Sequence, residues 1–161
     1  MNLASGIQNR AKNVFGAMKR NGLLVVMTEQ LRLYRPTSKT YHSIIGDTYV
    51  KELTWKLNDE WIERYKHIQA YEPRIIEIYD VVDYDTIWMK KLNGESLDIF
   101  ITEDYYLQYC EIISNIYEYN KDKIFKFYHR DAQFQNFIVD EGVVYLIDPD
   151  SFHLFKNGKW T

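Results

Sequence analysis

The chain contains little cysteine, proline or glycine, and it has no long apolar run. Its 161 residues include one cysteine, three prolines and seven glycines. A single cysteine, Cys110, excludes a disulfide framework within the chain, so we expect a reducing, cytoplasmic location. No stretch approaches the roughly 20 apolar residues that a membrane-spanning helix needs, so we do not expect a transmembrane protein.

The chain also has no excess of basic charge, since 20 Lys and Arg residues face 23 Asp and Glu residues. The formal net charge is -3 and the sequence pI is about 5.8. Because proteins that bind nucleic acid present a clearly basic face to the phosphates, we expect no nucleic-acid partner. Aromatic residues are abundant instead, at 16% with 14 tyrosines, and the apolar fraction of 46% is typical of a folded domain.

The first 20 residues have the pattern of an amphipathic helix. Their only charges are basic and total +4, while apolar residues recur at helical spacing, namely Ala4, Ile7, Ala11, Val14, Phe15 and Met18. We expect residues 1–26 to form a helix and linker that pack on the domain. The alternative is contact with an anionic lipid surface or an acidic partner. Met27 is an alternative start, which would make this segment dispensable.

The next part of the chain predicts a small antiparallel sheet followed by a helix. The runs LRLYR (31–35), TYHSII (40–45) and TYVKEL (48–53) form a predicted three-stranded meander, with a Gly-Asp turn before the last strand. The helix follows with Trp61, Ile62, Tyr65 and Ile68 at helical spacing, and either Asn58 or Asp59 would cap it.

Two further strands and a second helix complete the expected order. Residues 74–85 and 86–92 are the predicted strands, with the turn at residues 83–85. Thr102 would cap the second helix, whose predicted inner face comprises Leu107, Cys110, Ile113, Ile116 and Tyr117. A small sheet with one helix, joined to a second helical part, is typical of the α+β class.

The segment of residues 127–152 carries the polar groups that most need a functional explanation. Asp131 and Asn136 lie five residues apart, and a predicted hairpin at residues 137–147 returns Asp148 close to Asn136. Carboxylate and amide oxygens of this kind suit Mg²⁺, which completes its shell with water and phosphate. Asp131 would then accept a hydroxyl proton, and His129 would brace the loop backbone.

These residues resemble a known family. Residues 129–136 fit the pattern H-R-D-x-x-x-x-N, and LIDPD supplies an acid after an apolar strand, as in the catalytic core of the protein-kinase-like superfamily. The motif style is more similar to small-molecule and lipopolysaccharide kinases than to regulated protein kinases. The resemblance implies a two-lobe fold, with a small antiparallel N-lobe sheet and one helix in residues 27–92 and a strongly truncated helical C-lobe in residues 93–161.

The resemblance also implies ATP and Mg²⁺ as cofactors. Lys51 would bind the α- and β-phosphates, paired with Glu63 or, alternatively, Glu60. The adenine pocket would have Met89 at its back, and the backbone of Lys90, Lys91 and Leu92 would meet the adenine edge.

For the metal and the acceptor, the implied roles fall within the polar segment. Asn136 and Asp148 would hold Mg²⁺, with Asp150 as a second acidic group. Asp131 would orient the acceptor hydroxyl and take its proton, with His129 beside it.

Two departures from the family pattern affect the expected function. The turn RPTSKT has no glycine to cover the phosphates, so Lys39 is either a phosphate contact or an exposed turn lysine. Only 13 residues follow Asp148, and no A-P-E signature is present. We therefore expect that a second copy or a protein partner replaces the missing surface, that the acceptor is small, or that catalysis has been lost.

Three functions follow. The first is an ATP- and Mg²⁺-dependent phosphotransferase that acts on a hydroxyl of a protein or small molecule. The second is a pseudokinase-like module that binds a protein partner. The third is an interaction protein that uses the scaffold without nucleotide.

Overall fold

The computed structural model describes residues 40–161 of the chain. The predicted N-terminal helix, the predicted strand at residues 31–35 and Lys39 lie outside these residues. Backbone contacts divide the described chain into two compact units. The first unit comprises residues 40–56 and 78–91, and the second comprises residues 57–77 and 92–161.

The first unit is a four-stranded antiparallel sheet in the order β1-β2-β4-β3. Gly46 has a φ of 59°, a backbone conformation that glycine adopts readily, and it makes the predicted tight turn between the first two strands. The strands are β1 (Thr40–Ile45), β2 (Thr48–Leu53), β3 (Ile78–Val82) and β4 (Thr86–Lys90).

Two helices belong to the second unit, α1 (Asp59–Tyr71) and α2 (Glu103–Asn120). Asn58 caps α1, since its side chain accepts a hydrogen bond of 2.9 Å from the Trp61 amide. Thr102 caps α2 in the same way, accepting from the Tyr105 amide at 3.2 Å. Thr102 is confirmed as the cap of α2, and Asn58 is the cap of α1 among the two candidates, Asn58 and Asp59.

The second unit also contains two three-stranded sheets. One has the order β5-β7-β8 and the other β10-β9-β6, and every strand pair in them is antiparallel. The strands are β5 (Glu95–Ser96), β6 (Lys126–His129), β7 (Phe137–Asp140), β8 (Val143–Leu146), β9 (Phe152–Lys156) and β10 (Lys159–Trp160).

Aromatic side chains of α1 anchor it within the second unit. The indole nitrogen of Trp61 donates to the carbonyl of Phe152 at 2.8 Å, and the Tyr65 hydroxyl donates to the carbonyl of Ile76 at 2.7 Å. The rings of Tyr65 and Phe152 also meet edge to face, with centroids 5.6 Å apart. The contacts thus group α1 with residues 92–161, whereas the predicted range 27–92 combined it with the first sheet.

The predicted strand at residues 74–85 is too long. Ile75 and Ile76 do not extend β3, and both are buried in the second unit. The Ile76 amide donates to the Leu146 carbonyl at 2.9 Å, and Ile75 forms an isolated bridge with Leu146. In a half-exposed strand, buried and exposed residues alternate, so two consecutive buried residues do not fit one. The apolar residues at 75 and 76 therefore looked like a continuation of the strand although the sheet does not include them.

The end of the chain forms a sheet that the sequence analysis did not predict. β9 pairs with β6, so that Phe152 lies opposite His129, and β10 folds back on β9 through Asn157 and Gly158. Both turn residues have positive φ, 51° and 76°, as two-residue hairpin turns require. The Asn-Gly pair is the feature of the sequence that indicates this hairpin.

The predicted inner face of α2 is wrong in part. Ile116 is buried as expected, but the other fully buried positions are Ile112 and Asn120. Leu107 and Tyr117 are 54% and 62% exposed. A helix with apolar residues on two sides gives two candidate faces, and only packing decides which one is buried.

Buried polar groups tie α2 to the strand that leads to the polar segment. Asn120, fully buried, accepts from the amide of Phe127 at 2.7 Å and donates to its carbonyl at 2.9 Å. Glu72 is also buried, and it accepts hydrogen bonds from Arg74 and from Asn115 of α2.

Gly94 allows the loop before β5 to approach β7. A Cβ on this residue would lie 1.5 Å from the carbonyl oxygen of Val139, a distance that no side chain can accept. The glycine in NGESL is therefore required by a close backbone approach.

The two helices and the small antiparallel sheets confirm the predicted α+β class. Neither helix among residues 40–161 is long and apolar enough to cross a membrane.

Candidate functional site

His129 lies at the end of β6 and braces the polar segment. Its Nε2 lies 3.0 Å from the carbonyl of Ile147 and 3.1 Å from that of Asp148, and its Nδ1 lies 3.2 Å from the amide of Asp131. Because carbonyls only accept and an amide only donates, Nε2 carries the hydrogen and Nδ1 accepts. One imidazole thus fixes the backbone at both Asp131 and Asp148, as the sequence analysis predicted for a bracing residue.

The surroundings of His129 favour the neutral form. Burial lowers the pKa of His129, while the hydrogen bonds to the two carbonyls and the charges of Asp148 and Asp131 oppose this shift without reversing it. The neutral ring is also the form that the hydrogen bonds require, since a proton on Nδ1 would face the Asp131 amide.

Asn136 holds Asp131 in place. Its side-chain amide donates to the Asp131 carbonyl at 2.7 Å and to the Asp131 carboxylate at 3.0 Å. Its own carbonyl accepts from the amide of Ile147 at 2.9 Å, which ties it to the residue before Asp148. No hydrogen bond within residues 40–161 reaches the side-chain oxygen of Asn136, so this oxygen is available to a ligand.

Asp148 occupies an unusual backbone position directly after β8. Its φ of 65° and ψ of 60° are left-handed, a region that aspartate enters more readily than most residues but at a cost. The hydroxyl of Ser151 donates to its Oδ2 at 2.7 Å and the amide of Ser151 donates to its carbonyl at 3.0 Å. Local bonds therefore set the direction of this carboxylate.

Asp150 lies in the short turn that follows and is buried. Burial, together with the negative charges of Asp150 and Asp148, raises the pKa of the Tyr65 phenol well above its usual range. Tyr65 also packs edge to face against Phe152, which follows this turn, with ring centroids 5.6 Å apart.

The donor chemistry of this region fits Mg²⁺. Asn136 offers an amide oxygen and Asp148 a carboxylate, and Mg²⁺ usually takes one or two carboxylates and completes its shell with water and phosphate. Within residues 40–161, no group of three or more His, Cys, Asp or Glu side chains is placed to hold a metal. Binding of Mg²⁺ by Asn136 and Asp148 therefore stays a prediction.

The predicted phosphate ligand, Lys51, lies in the first unit. It is buried on β2, opposite His42 on β1 and Ile87 on β4. Cross-strand partners share a face of a sheet, as do residues two apart, so Tyr49 and Met89 lie on this face as well. The Tyr49 hydroxyl is hydrogen bonded to Nδ1 of His42.

The predicted hinge residues follow along and beyond β4. Met89 is buried and Lys90 ends the strand. The amide of Lys91 makes a long hydrogen bond of 3.4 Å to the carbonyl of Asp47, while Leu92 begins the main part of the second unit. Contact of these backbone groups with an adenine stays a prediction.

The two glutamates predicted as partners of Lys51 lie on α1. Glu60 accepts hydrogen bonds from Lys156 at 2.7 Å and from Arg64 at 3.2 Å, and the bond from Lys156 is the main cause that lowers the pKa of Glu60. Glu63 is exposed. The pairing of either residue with Lys51 stays a prediction, and Lys39 lies outside the described residues.

The sequence analysis missed three residues that shape these regions. Ser151 orients Asp148, Tyr65 lies near the acids, and Tyr49 shares the face of Lys51. The two-residue spacing from Tyr49 to Lys51 was a readable signal, because alternate residues of a strand share a face. Nothing in the sequence linked Tyr65 to residues about 85 positions away.

A comparison of the chain with protein-family models finds no match, and neither does a comparison with curated proteins.

Proposed function

We propose that the chain is a phosphotransferase of the protein-kinase-like type, with the two-lobe fold that the sequence resemblance implies. It would transfer the γ-phosphate of ATP to a hydroxyl group of a protein or small molecule. The observation that carries the proposal is the hydrogen-bonded set of His129, Asp131, Asn136 and Asp148 in the second unit.

That set has the properties that phosphoryl transfer requires. Transfer of a phosphoryl group needs little covalent chemistry from the protein, so positioning and charge neutralisation carry most of the catalysis. The side-chain oxygens of Asn136 and Asp148 would hold Mg²⁺, which neutralises the phosphate charge. His129 is hydrogen bonded to the backbone of both Asp131 and Asp148, and this holds the two residues in position relative to each other.

Asp131 would orient the acceptor hydroxyl and accept its proton. Its carboxylate is partly exposed and accepts a hydrogen bond from Asn136, which holds it in one orientation while leaving it open to a substrate.

Lys51 of the first unit would bind the α- and β-phosphates. Lys51 is buried on β2, on the face of the sheet that also carries Tyr49 and Met89. Its role as a phosphate ligand is the one that the sequence resemblance implies.

Incubation of the purified chain with γ-labelled ATP tests the proposal. The chain should release or transfer label in the presence of Mg²⁺ and should not do so when the metal is chelated. Asp148→Ala should abolish the signal, whereas Asp98→Asn, an exposed change in the same unit, should leave it unchanged.

Two other outcomes distinguish the remaining candidates. Thermal stabilisation by ATP without turnover would favour the pseudokinase-like binding module. Absence of both turnover and stabilisation would contradict any nucleotide-dependent function.

A further inference from the structure

One side of α2 presents an apolar stripe to solvent. We define it as Tyr106, Leu107, Cys110 and Tyr117. Cys110 lies four residues after Tyr106, three after Leu107 and seven before Tyr117, so the four residues share a face of the helix. Tyr106, Leu107 and Tyr117 are 48%, 54% and 62% exposed, and Cys110 is partly exposed. The buried residues Ile112 and Ile116 lie on the other side of the helix, so the stripe is not part of the core.

Acidic residues run along one edge of the stripe. Every charged residue of α2 is acidic, and there are four, namely Glu103, Asp104, Glu111 and Glu118. Arg74 pairs with Glu111, which is still 64% exposed in its side chain. Lys121 pairs with Glu118 at 3.3 Å, so the four acids and these two bases leave a net negative charge along the edge. An apolar stripe beside net negative charge favours an amphipathic, basic occupant, because one such helix can cover both kinds of surface.

The chain itself contains a segment with this chemistry. Residues 1–20 combine apolar positions at helical spacing with four basic residues and no acidic residue. We propose that residues 1–20 bind the apolar stripe of α2, with their basic side chains along its acidic edge. The segment and α2 also have similar numbers of residues, 20 and 18.

Charge argues against the other occupants. Two copies of α2 packed through the stripe would bring their acidic edges together, which is unfavourable. An anionic lipid surface would be repelled by the same edge. The N-terminal segment complements both the apolar and the charged part of the surface.

The single cysteine makes the proposal testable in the full chain. Cys110 lies within the stripe, so an occupant slows its reaction with a maleimide. Phe15→Asp places a charge on the apolar side of the segment and should increase the labelling rate about tenfold, as expected when a docked state favoured ten to one is lost. Asn9→Asp adds the same charge on the opposite side and should leave the rate unchanged.

A second variant tests whether the basic side chains of the segment contribute to binding. Lys12→Glu combined with Lys19→Glu reverses the charge on one side of the segment and should also raise the labelling rate. High salt should raise the rate in the unmodified chain, because it screens the attraction between exposed charges. Thermal unfolding of each variant shows that the described part of the chain is still folded.

The same measurement separates the competing explanations. Equal labelling rates in the unmodified chain and in Phe15→Asp would overturn the proposal. Protection of Cys110 that increases with protein concentration would also overturn it, since the occupant would then belong to a second copy. Protection that is independent of concentration and lost in Phe15→Asp supports the segment of the same chain.

Discussion

Asn136 donates its side-chain amide twice to Asp131, to the carbonyl at 2.7 Å and to the carboxylate at 3.0 Å. This leaves the amide oxygen of Asn136 directed away from Asp131 and open to a cation. The side chain thus fixes the Asp131 carboxylate, and under the proposal it would also offer its oxygen to Mg²⁺. One side chain can do both because its NH₂ group donates hydrogen bonds while its oxygen is free to accept or to bind a cation.

Asp131→Asn should separate catalysis from binding. The change keeps the shape of the side chain but removes the carboxylate that would accept the hydroxyl proton. We expect turnover of ATP to fall by about 10²–10⁴-fold, the usual contribution of a positioned base, while ATP affinity stays within about threefold. Steady-state kinetics and calorimetric titration measure the two quantities, and an unchanged turnover number would rule out Asp131 as the base.

The tautomer of His129 can be observed directly. We expect a neutral ring with its hydrogen on Nε2, because Nε2 faces two carbonyls and Nδ1 faces the Asp131 amide. Nitrogen-15 spectra of the imidazole distinguish the two tautomers, and a ring with its hydrogen on Nδ1 would contradict the account.

The same ring predicts a pH dependence of stability. Burial lowers the pKa of folded His129 below the ordinary value of 6.5, so a proton binds the unfolded chain more readily. The contribution of His129 to stability should be complete above pH 6.5 and should be lost as the pH falls toward the folded-state pKa. Unfolding curves of the wild type and of His129→Gln measure it, and their difference should shrink below pH 6.5.

Glu72 predicts a second pH dependence, at lower pH. Burial opposes its ionisation, but hydrogen bonds from Arg74 and Asn115 outweigh this and lower the pKa of Glu72 below 4.5. Its contribution to stability should be complete above pH 4.5 and lost as the pH falls through the folded-state pKa. Glu72→Gln should cost about 2–3 kcal/mol at neutral pH, because it leaves the donors of Arg74 poorly matched.

Glu111→Gln is the matched control for Glu72. Glu111 binds the same arginine, but its side chain is 64% exposed, so its loss should cost less than about 1 kcal/mol. Chemical unfolding at neutral and acid pH measures both variants. Equal costs for the two substitutions would contradict the assignment of the buried glutamate as the main partner of Arg74.

Asn120 should be among the most sensitive positions outside the polar segment. It is fully buried and satisfies both the amide and the carbonyl of Phe127. Asn120→Ala would leave these groups unpaired in the interior and should destabilise the fold by about 2–4 kcal/mol. Ser114→Ala, an exposed change on the same helix, should stay within about 0.5 kcal/mol, and a similar loss in both variants would contradict this role.

Local signals in the sequence predicted much of this fold. Asn58 and Thr102 are residues typical of helix starts, and Gly46 is typical of a tight hairpin turn. Such features can be read from the sequence because caps and turns depend on a few neighbouring residues. The hairpin of residues 137–147 was predicted as well. The prediction placed Asp148 close to Asn136, and the structure shows a hydrogen bond to the Asn136 carbonyl from the amide of Ile147, the residue before Asp148.

Features that depend on distant contacts were not predicted. Ile75 and Ile76 leave the first sheet for the second unit, and α2 buries Ile112 where the apolar pattern favoured Leu107. Tertiary packing decides which of the apolar residues are buried, and the periodicity of a single helix or strand does not show how that element packs. The terminal sheet is different, because the pair Asn157-Gly158 is typical of a two-residue hairpin turn and is visible in the sequence.

The central claim concerns Asp148 and its neighbours, and calorimetric titration of ATP into the full chain tests it most directly. We predict binding that requires Mg²⁺, persists in Asp98→Asn and is lost or weakened at least about tenfold in Asp148→Ala. ATP binding of equal strength in Asp148→Ala, or an absence of Mg²⁺-dependent binding in the unmodified chain, would contradict the proposal that this segment holds a metal nucleotide.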